Sequence, residues 1–298
     1  MKDHYIPEAE FPIVLTPKIR VLGNYFFNLI LVTGTQESAL FETGISGVTD
    51  AVIRQLENIG VAPDYLIVSH PHADHITGLP GLVKRFPKAR VVAGIGANAF
   101  VTHPKAGPAL IKEDKFMSQG LVKMGISPGR SSLESIPDLG RAQEIAAPTL
   151  LDLGGGVDLE LIPVHGHSPA NLMGRVRCDQ ALFCSDSLGF HYPGRALWPL
   201  FFTNAKAYVD SLDLIRSFNP KILCPAHQGP ILGDEAAKGI DQARAFTLST
   251  ISRINQTKMK DPDLIQALFE ESYKDEFTLY TEENILNCTR LLIKRARE

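Results

Sequence analysis

The hydrophobic pattern of the first third of the chain predicts alternating strands and helices. Short apolar runs bounded by turn residues are typical of buried strands, whereas Val48, Val52 and Leu56 recur at helical spacing. Gly60 follows that helix, at a position where a left-handed residue is favoured. Strands are predicted at 13–15, 19–22, 25–32, 38–41, 65–68 and 90–93, and helices at 48–59 and 78–86.

The pattern weakens between residues 96 and 148, where glycine and proline recur. We interpret this region as an insertion that passes near the functional site, with a helix at 109–124, and not as a separate domain.

Glutamates follow Thr281 at the start of the last helix, which is a typical N-terminal signal. Strands are then predicted at 150–153, 157–164, 171–176, 181–184 and 221–224, and helices at 205–217, 240–254, 262–273 and 282–295.

The order of these elements predicts the fold class. Both halves run from mixed strands to helices, which favours an α/β (α+β) protein built as an αββα sandwich with additional C-terminal helices. We expect a catalytic domain at 1–234 and a helical extension at 235–298 that caps the active site.

Composition and charge exclude several classes of protein. Hydrophobic residues make up 44% of the 298 residues and the net charge is −3, so a globular core is expected without a field that attracts nucleic acid or an anionic membrane. The sequence has no signal-peptide pattern and no apolar run long enough to span a membrane. Its four scattered cysteines lack CxxC spacing, which favours a cytoplasmic protein with reduced thiols.

The strongest chemical signal lies directly after the strand predicted at 65–68. His70, His72, Asp74 and His75 fall within six residues. In a loop over a strand end, the first two can face one metal ion and the last two another. Imidazole and carboxylate ligands together suit Zn²⁺, iron, Mn²⁺ or Co²⁺.

Further candidate ligands occur where later strands end. His167, Asp186 and His227 each follow an apolar strand, and functional residues are commonly carried by such loops. His165 either contacts the centre or substrate, or is an ordinary packed or solvent-facing histidine. His4 and His103 have no supporting neighbours.

These motifs resemble the metallo-β-lactamase superfamily over roughly residues 12–232. The stretch HPHADH resembles its HxHxDH signature, and the three later residues are similar to its remaining ligands. The resemblance implies one metal ion on His70, His72 and His167, another on Asp74, His75 and His227, and Asp186 with a hydroxide between them.

Two positions depart from the superfamily pattern. Glu42 stands where aspartate is usual, and His227 lies in Ala-His-Gln-Gly where Gly-His-Gly is usual. Neither change removes a ligand. We expect Glu42 to support the ligands from behind.

The resemblance implies a hydrolase with two divalent ions, with Zn²⁺ expected and iron or Mn²⁺ as alternatives. Two ions can lower the pKa of a shared water and make a hydroxide nucleophile. Asp74 is the expected catalytic residue that protonates the leaving group. The sequence has no GxSxG motif that would favour a serine nucleophile.

Several blocks after the core are similar to the quinolone-signal-response family of 2-aminobenzoylacetyl-CoA thioesterases. This resemblance implies hydrolysis of a small-molecule thioester or ester, with a lactonase or a glyoxalase-II-like hydrolase as alternatives. A signalling protein with a vestigial metal site is a further alternative, and a homodimer is possible. A diiron oxidoreductase is disfavoured because that group has glutamate in place of His72. The similar blocks lie at 42–46, 165–168, 182–189, 198–200 and 207–212.

The loop after Asp186 is the candidate substrate contact. It contains His191, Tyr192, Arg195 and Trp198. Its proximity to a ligand in the sequence, together with its aromatic and polar side chains, is typical of a small-molecule pocket.

Overall fold

The computed structural model describes residues 5–191 and 197–298, and within them thirteen strands form two mixed sheets. The first sheet has the order β1 to β7: Ile13–Val14, Ile19–Gly23, Asn28–Thr33, Ser38–Phe41, Tyr65–Val68, Arg90–Gly94 and Gln143–Ile145. The second sheet contains β8 to β13, which pair in that order from one edge to the other. Their ranges are Thr149–Asp152, Asp158–Val164, Asn171–Val176, Ala181–Phe183, Ile222–Cys224 and Ile231–Leu232.

The same part of the chain contains nine α-helices. They are α1 to α9: Ser46–Ile59, Ala73–Ile76, Leu79–Arg85, Ala97–Val101, Ala106–Lys123, Ala205–Ser217, Asp234–Gln256, Asp261–Ser272 and Glu282–Ala296. No helix among the described residues is both long enough and apolar enough to cross a membrane.

The two sheets face each other across an apolar core. On β3, Ile30 and Val32 pack in the cluster between the sheets, whereas Leu29 and Leu31 pack toward the helices. Successive side chains of a strand point to opposite faces, and both faces are buried here, so the strand is a continuous apolar run. The rings of Phe41 and Phe183, one from each sheet, lie 5.7 Å apart.

Helices cover the outer faces of both sheets, which confirms the predicted αββα sandwich. Val48, Val52 and Leu56 of α1 pack in the same cluster as Leu29, at the spacing that the sequence predicted. Gly60 ends α1 with φ of 77°, as expected for a left-handed C-terminal residue.

The third strand begins later than predicted. Residues 25–27 form a turn, and β3 starts only at Asn28. The Asn24 side-chain oxygen accepts hydrogen bonds from the backbone N–H groups of Phe26 and Phe27, both at 3.0 Å. This local side-chain bond competes with strand pairing, and the apolar run alone did not reveal it.

The insertion is part of the main fold. Its last strand, β7, pairs in parallel with β6, and α5 contacts both α1 and α2. It therefore extends the first sheet. It also lies beside α2, which carries Asp74 and His75, so it passes near the site as predicted. The C-terminal helices share one apolar cluster with α6. The predicted boundary between a catalytic domain and a helical extension at residue 234 stays a prediction.

Strand direction places the ligand-bearing loops at one edge of the sandwich. In the first sheet β4 and β5 are parallel, so Glu42 and Ser69 both follow carboxyl ends. In the second sheet β10 is antiparallel to both β9 and β11, so β9 and β11 run in the same direction. β12 is parallel to β11 and runs in that direction too. The loops carrying His167, Asp186 and His227 therefore emerge on the same side.

Candidate metal centre

Three histidine nitrogens converge in the first group of ligands. His70 Nε2 lies 3.0 Å from His72 Nδ1, and His167 Nε2 lies 3.1 Å from each of them. Tetrahedral Zn²⁺ with Zn–N of about 2.0–2.1 Å would separate two such nitrogens by roughly 3.3 Å. The spacing is therefore that of ligands around one ion.

The second group contains Asp74, His75 and His227. Asp74 Oδ2 lies 3.3 Å from His75 Nε2 and 3.4 Å from His227 Nε2. Asp186 belongs to both groups: its Oδ2 is 3.4 Å from the Nε2 atoms of His75 and His167, and its Oδ1 is 3.5 Å from His227 Nε2. The structure thus brings all seven predicted ligands together, and within each group the ligand atoms lie within 4.8 Å of one another.

Hydrogen bonds behind three of the rings orient them. Nδ1–H of His167 donates to the Leu200 carbonyl at 2.8 Å, and Nδ1–H of His227 donates to the Phe26 carbonyl at 2.6 Å. Nδ1–H of His75 donates to Glu42 Oε2 at 2.9 Å. With Nδ1 protonated, each Nε2 is the nitrogen that can offer a lone pair to a cation.

Two of these nitrogens test whether the cluster fits metal ions. His75 Nε2 and His227 Nε2 are buried without a hydrogen-bond partner, although carboxylate oxygens lie 3.3–3.5 Å away. A buried polar atom left unpaired is costly. A cation between these nitrogens and the carboxylates would satisfy both, so the residues fit a divalent metal site.

The charges of the cluster also favour cations. Burial and neighbouring histidines hold the pKa of His70 well below its usual range and lower that of His72 to about 3. Burial would lower the pKa of His227, but Asp186 and Asp74 outweigh it and raise the pKa to about 9. The paired carboxylates therefore require positive charge nearby, which divalent ions can supply in place of a proton.

Gly166 lets the end of β9 approach α6 closely. Its φ is 106°, and a Cβ atom there would lie 2.3 Å from the Tyr208 nitrogen. Only glycine fits such a position without strain. The glycine thereby allows His167 to follow directly and face the cluster.

Glu42 supports the ligands from behind, as predicted. It is buried, and its Oε2 accepts hydrogen bonds from Ser69 Oγ at 2.7 Å and from His75. Its φ of 78° is left-handed, a conformation that a residue with a side chain adopts at a cost and that clusters at functional sites. Ser69 in turn lies 3.1 Å from His70 Nδ1, so Glu42 is connected to both groups.

We expect Glu42→Gln to weaken zinc binding about 10- to 100-fold, because the charged partner of His75 is lost. Retained zinc after dialysis against a graded chelator measures this. Glu37→Gln, at a partly exposed position on the turn before β4, is the matched control and should retain zinc like the natural protein. Equal retention in both variants would contradict the support role.

The other candidates differ in their positions. His165 is exposed, and its backbone bonds to Ser211. It belongs to neither ligand group, and a contact with substrate stays a prediction. Trp198 is buried and lines the cavity beside the cluster, whereas the half-buried His191 is not among its described lining residues. Tyr192 and Arg195 lie outside the described residues, as does His4. His103 is exposed and belongs to neither ligand group.

A cavity of about 320 Å³ opens beside the ligands His72, Asp74, His167 and Asp186. Its walls come from the insertion, the segment after residue 197 and the C-terminal helices, and they are mainly apolar and aromatic. Among the described residues that line it, none is lysine or arginine. Its apolar walls include Phe100, Leu110, Phe190, Trp198, Phe202 and Leu292.

Sequence reasoning missed Tyr280, which lines the cavity and donates a hydrogen bond from its hydroxyl to Asp74 Oδ2 at 2.8 Å. Burial and the neighbouring Asp74 raise its pKa well above the usual range. It also missed the aromatic rings beside the ligands: Phe202 lies 5.3 Å from His167, and Phe190 lies 5.4 Å from His227. No local motif marks these residues.

Comparison with known proteins agrees with this geometry. A 29% identical metallo-β-lactamase fold-containing protein of Sulfurisphaera tokodaii matches over 169 residues, which cover 56% of this chain and 60% of that protein. The crystal structure of the same archaeal protein superposes with a TM-score of 0.62 at 20% identity, covering 95% of this chain and 99% of that one.

Two further solved structures share the fold. A β-lactamase domain protein of Burkholderia ambifaria has a TM-score of 0.68 at 17% identity, covering 98% of this chain and 90% of that one. The stereoselective inverting sec-alkylsulfatase Pisa1 of a Pseudomonas species has a TM-score of 0.64 at 17% identity, covering 95% and 49%. These likenesses support the fold and not the predicted similarity to a thioesterase.

The family model of the metallo-β-lactamase superfamily matches residues 25–227. That range includes all seven clustered ligands and both sheets of the sandwich from β3 to β12. The chain therefore belongs to the metallo-β-lactamase superfamily.

Proposed function

We propose that this chain is a metal-dependent hydrolase that cleaves a thioester or ester bond of a substrate with an apolar acyl group. The observation that carries the proposal is the apolar cavity that opens directly onto ligands of both groups. An acyl group held in it would bring its carbonyl carbon to the cluster.

The residues have distinct roles in this proposal. His70, His72 and His167 would hold one ion, the second group would hold the other, and Asp186 would contact both. Two divalent ions, with Zn²⁺ expected and iron or Mn²⁺ as alternatives, would supply Lewis acidity and would lower the pKa of water toward neutrality. Asp74 borders the cavity and is the proposed carrier of a proton to the leaving group.

The charge of the cavity favours a carboxylic ester over a sulfate or phosphate ester. A sulfate or phosphate group would enter a site whose described lining has no lysine or arginine. A buried anion needs paired positive charge, and here the two metal ions alone would have to supply it. The neutral carbonyl of a thioester or ester does not have this requirement.

The walls favour an apolar acyl group. Phe100 and Phe202 lie beside His72, at 5.9 and 6.4 Å between ring centroids. Each buried methylene stabilises binding by about 0.8 kcal/mol. The strongly polar acyl group of S-lactoylglutathione would gain little from these walls.

A substrate panel with the zinc-loaded chain tests the proposal. The panel contains acetyl-, hexanoyl- and dodecanoyl-CoA, S-lactoylglutathione, an acyl homoserine lactone and a secondary alkyl sulfate. We expect kcat/KM to rise from acetyl- to hexanoyl-CoA by at least about tenfold, because the added methylenes are buried. Faster turnover of the lactone would indicate a lactonase, and faster turnover of S-lactoylglutathione would indicate the glyoxalase-II-like alternative.

Two further outcomes would overturn the proposal. Preferred turnover of the alkyl sulfate would mean that the site binds an anionic ester group although its described lining has no lysine or arginine. An absence of turnover on the whole panel, with two zinc ions bound, would favour the signalling alternative with a vestigial site.

A further inference from the structure

Tyr280 reaches the metal centre from the segment between α8 and α9. Its hydroxyl donates to Asp74 Oδ2 at 2.8 Å. The same oxygen faces His75 Nε2 and His227 Nε2, at 3.3 and 3.4 Å. The phenol therefore bonds to the carboxylate oxygen that faces the second group of ligands.

Tyr280 is itself held from several sides. Its carbonyl accepts a hydrogen bond from Tyr273 Oη at 3.0 Å, and its N–H donates to the Phe277 carbonyl at 3.1 Å. Its ring lies edge-on to Phe277 and Phe190, at 5.9 and 6.3 Å. A side chain packed this way keeps its hydroxyl in one place, as preorganisation of a site requires.

Two consecutive buried carboxylates of α5 connect this segment to the metal motif. Glu113 accepts hydrogen bonds from the N–H and the hydroxyl of Thr281, the residue after Tyr280. Asp114 accepts one from the hydroxyl of Thr77, two residues after His75, at 2.6 Å. Glu113 and Asp114 are 8% and 0% exposed, so all three bonds are shielded from bulk water and from salt.

We propose that Tyr280 is a positioning residue that holds Asp74 for the second ion, and that Glu113 keeps Tyr280 in register with it. A hydrogen bond to a ligating carboxylate orients it toward the ion. The inference rests on the metal site of the proposed function and not on the substrate class. It makes the C-terminal segment part of the metal centre as well as a wall of the cavity.

Zinc titration of the metal-free chain tests this. In Tyr280→Phe, which keeps the ring and removes the hydroxyl, we expect the affinity of one of the two zinc ions to fall about 10- to 100-fold. The other ion should be unaffected, and the weakened one should be the ion that His227→Ala removes. Tyr65→Phe, at the amino end of β5 away from the ligands, is the control and should bind both ions normally.

Glu113→Gln tests the second part of the inference. It should weaken the same ion to a smaller degree, and the double variant should be no weaker than Tyr280→Phe alone, because both act through one hydroxyl. A Tyr280→Phe variant that binds both ions normally would overturn the inference. Equal weakening of both ions together with a lowered melting temperature would also overturn it, since that indicates a general structural role.

The titration contains no substrate, so its result is separate from that of the substrate panel. Normal zinc binding by Tyr280→Phe would contradict the inference and leave the proposed function intact. A natural chain that binds none of zinc, iron and Mn²⁺ would contradict both.

Discussion

Asp186→Ala should lower kcat/KM for the best substrate by about 10⁴-fold or more, equivalent to about 5.5 kcal/mol of transition-state stabilisation. Asp186 is the ligand shared by both groups, with one oxygen facing His75 and His167 and the other facing His227. Its loss would remove the carboxylate that both groups share and the negative charge that would help to hold the ions. Steady-state kinetics of the zinc-loaded chain and its zinc content measure the effect.

The fold should survive this change, because Asp186 contributes to a cluster of charges and not to the apolar core. Circular dichroism and the melting temperature of the metal-free chain check that point. Asp263→Ala, at an exposed position in the first turn of α8, is the control and should retain full activity. Turnover within tenfold of the natural protein in Asp186→Ala would rule out the two-ion centre as the source of catalysis.

The second large effect concerns the acyl cavity. Ala109 of α5 lines the cavity but is exposed, so Ala109→Trp can place an indole there without disrupting the core. The ring would occupy much of a cavity of about 320 Å³. We expect kcat/KM for dodecanoyl-CoA to fall at least about 100-fold, close to 2.7 kcal/mol, since several methylenes lose their buried site.

Acetyl-CoA should be affected much less, because its acyl group is too short to reach the new ring. Val122→Trp, on the same helix at a position that is 56% exposed, is the matched control. It should leave the turnover of both substrates unchanged. An equal loss for short and long substrates in Ala109→Trp would argue against an acyl cavity at this position.

The sequence predicted those parts of the site whose signals are local. Each ligand from His70 to His227 comes from a segment that follows an apolar strand, and functional residues are commonly carried by such segments. The left-handed Gly60 and the N-terminal Thr281 of α9, whose hydroxyl accepts from the Asn284 N–H, were also predicted correctly. These features depend on neighbours within a few positions.

Features that depend on long-range packing were not predictable. Tyr280 and Asp74 are 206 positions apart along the chain, and Glu113 is 168 positions from its partner Thr281. Neither Tyr280 nor Glu113 belongs to a motif, because nothing nearby distinguishes them from ordinary core residues. The helical turn α2, which carries Asp74 and His75, is likewise too short for its period to be recognised.

The distribution of ligands between the two sheets has a consequence for how the chain can be divided. The group His70, His72, His167 and Asp186 takes two members from loops of each sheet, and so does the group Asp74, His75, Asp186 and His227. Neither half-chain alone carries a complete coordination set. The ions would therefore crosslink the two halves of the sandwich. A protein expressed as two separate fragments would bind them only when the fragments reassociate.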